Sequence, residues 1–116
     1  MIEVKNQEVL KALTTVPLDP GLLWLANVIE AKYGVVCITC AARPNDQGVH
    51  GTNPCRGLDI RSSVYQSAED VTDWINRNGV YDYKRPLKKV AILHDVGSGM
   101  HIHLQIHPNT RLNFPR

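Results

Sequence analysis

Met100, Ile102, Leu104 and Ile106 alternate with His101, His103, Gln105 and His107. Period-two alternation marks a strand with one apolar face and gathers the three histidines and the glutamine on the other. Two histidines at i and i+2 on one strand reach the same metal ion or the same substrate; the plain alternative is a wet strand face that happens to be rich in histidine. Four of the chain's five histidines lie between positions 94 and 107. The fifth, His50, stands in GVHGTNPCRGLDI, nine residues before Asp59. Asp59 is a lone carboxylate between Leu58 and Ile60, and a carboxylate in an apolar strand needs a partner. A catalytic zinc ion takes three protein ligands, from histidine nitrogens and carboxylate oxygens, and keeps one position for water. A loop histidine and a strand-start aspartate leaning toward the His101–His103 face would complete such a set.

The elements that must position these residues are legible from pattern. Residues 1–15 read as a short helix around Val9, Leu10 and Leu13. Asp19 caps a second helix with Pro20 at its first position, and the apolar set from Leu22 to Ile29 carries it to Tyr33-Gly34. Residues 35–39 are a strand by β-branched content. Residues 41–57 are a long loop full of turn formers, a length that usually serves function in so small a domain. A short strand over 58–60 follows, then a helix opened by Ser67 and stopped at Asn78-Gly79. Residues 88–93 and 100–106 pair as antiparallel strands across a turn at Gly97-Ser98-Gly99. This order argues for α+β: one small domain over residues 1–116, an antiparallel sheet with helices packed on it.

Composition excludes several classes. At 43% hydrophobic and 21% charged, the 116-residue chain is neither disordered nor collagen-like. A net charge of +2 gives no concentrated basic face, and Pro86 interrupts the stretch Lys84, Arg85, Lys88, Lys89, so nucleic acid is not an expected partner. The most apolar window, 21–42, carries Glu30 and Lys32 and is no membrane span. The acidic, polar start MIEVKNQEVL has no apolar signal core, which implies synthesis in the cytoplasm without an export signal. Three cysteines make no disulfide framework. Cys37 and Cys40, three apart in an apolar strand, point to opposite faces and read as buried structural thiols.

TCAAR at 39–43, His50 followed by RGLDI at 56–60, and HIHLQ at 101–105 resemble the hedgehog/DD-peptidase fold. Its members include zinc D-Ala-D-Ala carboxypeptidases and L-alanyl-D-glutamate endopeptidases, many of them phage endolysins. The resemblance spans residues 35–106 and implies zinc ligands at His50, Asp59 and His103. It implies that Arg43 holds substrate or polarises its carbonyl, and that His101 assists catalysis, as does the first histidine of the H-x-H in lysostaphin-type enzymes. Gln105 and His107 would orient ligands or contact substrate. The chain also departs from the pattern. The His50–Asp59 spacing is longer, Gly48 and Cys55 replace the motif serine and glycine, and Met100 stands where carboxypeptidases carry an acidic residue. The general base then falls to His101, with Asp95 the second candidate. The resemblance thus implies a hydrolase: a zinc metallopeptidase that degrades cell wall by cutting peptidoglycan stem peptides with metal-activated water, after release or within a virion. The alternative is a non-catalytic zinc-binding or cell-wall-binding module, or a phage structural protein, on the same fold.

Overall fold

The computed structural model describes residues 1–95, 97 and 99–115. Three α-helices, α1 (Gln7–Thr15), α2 (Pro20–Tyr33) and α3 (Ala68–Arg77), accompany five strands ordered β1-β2-β3-β6-β5 in the main sheet. These are β1 (Ile2–Val4), β2 (Val36–Cys40), β3 (Gly57–Arg61), β5 (Ala91–Asp95) and β6 (Met100–Gln105). The short β4 (Gly79–Val80) and β7 (Arg111–Leu112) form a separate antiparallel pair. All neighbours in the main sheet are antiparallel except β1 and β2. The class is α+β, as expected.

Local chemistry explains the helix boundaries. The Asp19 carboxylate accepts from Gly21 N at 2.9 Å, Pro20 occupies the first turn, and Gly34 ends α2 at φ 87°. Only glycine adopts that left-handed conformation without strain. Ser67 caps α3 by accepting from Asp70 N at 3.2 Å. The apolar sides of α2 (Leu22, Leu25, Ile29) and α3 (Val71, Ile75) are fully buried in one cluster with Leu58, Ile60, Ile102 and Leu104 of the sheet. Since strand side chains alternate, the other sheet face receives Asp59, Arg61, His101, His103 and Gln105.

Three expectations need correcting. The first residues are not helical: Ile2–Val4 pair with β2 as a parallel edge strand, and the helix starts at Gln7, where Asn6 caps it by accepting from Val9 N. The strand expected over 88–93 begins at Ala91, because Lys88 N bonds Arg85 O in a turn around Pro86. The β4–β7 pair was not expected; it closes through Asn113 N to Asn78 O at 2.7 Å. The turn at Gly97-Ser98-Gly99 lies partly outside the described residues, as does Val96. Its two glycines have φ of 89° and 112°, which explains their presence there. Among the described residues, no helix is long and apolar enough to cross a membrane.

Candidate metal centre

Loop 41–57 is held at many points. Arg43 N bonds His50 O, Cys55 N bonds Pro17 O, and Asp19 N bonds Cys55 O, each within 2.9 Å. A 3₁₀ turn over Val49–Gly51 carries His50 inward until it is buried. That turn lies directly on the start of β3. A Cβ on Gly57 would stand 2.6 Å from Val49 Cγ2 and 3.0 Å from His50 N, so glycine is what lets His50 approach Asp59.

The β2–β3 register then adds a residue that the sequence reading placed elsewhere. Ile38 pairs with Ile60 and Cys40 with Asp59, so two steps on β2 match one step on β3. This bulge at Thr39 reverses the alternation and turns Cys40 from the core face to the Asp59 face. Thr39 joins the same side, donating to Asp59 O at 3.2 Å and lying 3.3 Å from His101 Nδ1. All three cysteines are free thiols. Cys37 is buried, but Cys40 is only half-buried and borders the centre.

His50 and His103 both converge on one oxygen. Asp59 Oδ1 lies 3.2 Å from His50 Nε2 and 2.8 Å from His103 Nδ1. Each ring's outer nitrogen is committed to a fixed acceptor. His50 Nδ1 donates to Ala41 O at 2.7 Å. His103 Nε2 donates to Gln105 Oε1 at 3.1 Å, and Gln105 is oriented in turn because its amide NH₂ donates to Lys89 O at 2.8 Å. With the outer N–H groups assigned this way, the neutral rings aim lone pairs at a carboxylate oxygen. Lone pairs meeting lone pairs require either protons or a cation between them. Such outer partners are also the arrangement that orients metal-binding histidines.

Without a metal, protons do the work. Burial opposes charge on His50, but the hydrogen bond and charge of Asp59, with the Cys40 contact, outweigh it and push its pKa up to about 10. Burial alone would raise the Asp59 pKa; hydrogen bonds from His103 and His50 instead hold its carboxyl well below the usual carboxylate range.

His94 completes the cluster. It lies directly opposite His101 on β5, and its ring centroid is 5.7 Å from that of His103. Its Nε2 is buried and finds no hydrogen-bond partner among the described residues. Leaving a buried polar atom unpaired costs about 1–3 kcal/mol. Ligand atoms fall into two triads that share Asp59: Cys40, His50 and Asp59, and Asp59, His94 and His103, with all donors of each triad within 4.8 Å of one another. These buried Cys, His and Asp groups can bind a metal ion, and thiolate, imidazole and carboxylate are the donor types that zinc accepts.

The other expected residues are placed as follows. His101 shares the face of His103, half-buried beside Thr39. Gln105 is buried, accepting from His103 Nε2 and donating to Lys89 O, which places it behind His103. Arg43 is exposed and pairs with Asp46 at 3.0 Å; it lines a cleft of about 770 Å³ between α1 and loop 41–53, together with Cys40, His50, Lys5 and Lys11. Asp95 is exposed, opposite Met100 on the other side of the strand pair, and accepts from Gly97 N at 2.8 Å; the structure does not bring it to the centre. His107 lies past the end of β6, stacked on Tyr81 and accepting from Asn109 N at 3.1 Å.

Replacing Gln105 by leucine keeps the volume but removes the acceptor of His103 Nε2. Metal affinity is expected to fall about 10–100-fold, as read by competition with a chromophoric chelator. A change below about threefold would show that Gln105 does not position His103.

No protein-family profile, curated protein or solved structure matches the chain.

Proposed function

We propose that the chain is a zinc-dependent peptidase of bacterial peptidoglycan, with His50, Asp59 and His103 as metal ligands. The observation that carries this reading is the convergence of two histidine nitrogens on Asp59 Oδ1, each with its opposite nitrogen locked on a carbonyl acceptor. When bound at such a site, zinc acidifies water and polarises a carbonyl as a Lewis acid. The chain's own residues supply the rest. Ala41 O and Gln105 Oε1 keep protons on the outer nitrogens, so the inner ones remain donors. Thr39 Oγ1 gives its proton to Asp59 O, which lets His101 Nδ1 donate to Thr39 and makes Nε2 the acceptor nitrogen of that ring. His101, on the same sheet face as His103, is the residue assigned to take the proton, the task Met100 cannot perform. The cleft beside His50 and Arg43 has the volume for a short peptide. Peptidoglycan as the substrate rests on the resemblance of TCAAR, RGLDI and HIHLQ to cell-wall peptidases.

Protein purified without added metal is expected to contain about one zinc per chain by elemental mass spectrometry, and His50→Ala and His103→Ala should lose it. Full occupancy in both variants would sink the site. Incubation with purified peptidoglycan should create one defined peptide terminus, absent with His103→Ala.

A second reading, a zinc-binding module without turnover, is favoured by Met100 and Asp95. Met100 is 47% exposed at the position of the expected acid, and Asp95 turns to Gly97. His101→Ala separates the two: an enzyme keeps its metal and loses turnover, whereas a module has no turnover to lose.

A further inference from the structure

We infer that His94 is a metal ligand: together with Asp59 and His103 it forms a donor set on three adjacent strands. The inference rests on the metal reading above and shares its Asp59 and His103. Two independent observations carry it. The donor atoms of Asp59, His94 and His103 lie within 4.8 Å of one another. The His94 nitrogen is also buried with no hydrogen-bond partner among the described residues, which a folded chain tolerates when a ligand satisfies the atom.

Strand geometry explains why His94 is there. His94 and His101 are directly opposite across β5–β6, while His103 and Asp59 are directly opposite across β3–β6. Opposed residues share a face, so the three strands form a comb with Asp59, His103 and His94 at successive positions. Cys40 belongs to the other triad and is the weaker donor. The His50 nitrogen nearest its sulfur, Nδ1 at 3.9 Å, already donates to Ala41 O at 2.7 Å, and Cys40 Sγ itself has Ala41 O at 3.7 Å.

With Asp59 and His103, His94 makes three protein donors, the count that leaves a zinc ion one open position.

The test uses cobalt(II) as the spectroscopic probe on the full chain. For wild type we expect visible bands that report cobalt bound by the chain. In His94→Ala, cobalt affinity should fall at least about 100-fold by chelator competition, and the visible bands should change. His94→Gln, which retains volume and polarity, serves if the alanine variant does not fold, with folding checked by circular dichroism. His107→Ala, a histidine outside the cluster, should leave affinity within about threefold. Wild-type affinity and an unchanged visible spectrum in a folded His94 variant would overturn this inference while the zinc reading stands. A wild type that takes up neither cobalt nor zinc overturns both.

Discussion

Asp59→Ala is expected to abolish metal uptake and to destabilise the metal-free fold by about 3–5 kcal/mol, the usual range when one partner of a buried charge pair is deleted. Asp59 belongs to both donor triads and, among the described residues, is the only group to which His50 Nε2 and His103 Nδ1 both turn. Without it two buried imidazoles face each other at a centroid separation of 5.3 Å with no counter-charge. The defect should be larger at pH 6 than at pH 8. With the carboxylate gone, burial is left to oppose the charge on His50, and at higher pH the ring is neutral at little cost. Urea denaturation of metal-free protein at the two pH values measures this. A loss under about 1 kcal/mol at pH 6 would mean that the His50–Asp59–His103 contacts contribute nothing to the fold.

Much of this arrangement was legible from residue types. The alternation in β6 places Ile102 and Leu104 in the core and His101 and His103 opposite, because a strand's period of two leaves no other choice once one face is apolar. Asp59 announces its need for a partner by sitting between Leu58 and Ile60, and the structure supplies His50 and His103. The caps at Asp19 and Ser67 are local chemistry and fall where their residue types put them.

What was hidden depends on register. Regular alternation sends Cys40 to the core face; only the bulge at Thr39 brings it to Asp59, and a bulge leaves no mark in residue types. His94 and Asp95 are neighbours, so which one faces the centre depends on which is opposite His101. That pairing is fixed by the length of the β5–β6 turn. One residue of slip exchanges them, and it is His94, not Asp95, that the observed register turns inward. The parallel pairing of Ile2–Val4 with β2 was equally hidden, since three residues carry no period and their partner is more than thirty positions away.

Zinc affinity is expected to rise at least tenfold per pH unit between pH 6 and 8, hence at least about 100-fold over that range. His50 is pushed up to about 10, so throughout it the metal-free chain carries a proton on His50 that must leave before Nε2 can ligate. Asp59, held far below the usual carboxylate range, is already ionised and adds no slope. The folding of the metal-free chain responds in the opposite sense. A raised pKa on His50 contributes stability that is fully present below its unfolded value of 6.5 and is lost as pH rises through about 10. The depressed pKa of Asp59 contributes stability present above its unfolded value of 3.8 and lost as pH falls through the folded one. From this pair the metal-free protein is most stable between pH 3.8 and 6.5 and weakens as pH climbs, just where zinc binds better. The rise in Tm on adding saturating zinc should therefore be larger at pH 8 than at pH 6, since a ligand stabilises the folded state in proportion to the logarithm of its concentration over Kd. An increment that shrinks over this range would mean that no proton leaves His50 when the metal enters, and hence that His50 is not a ligand.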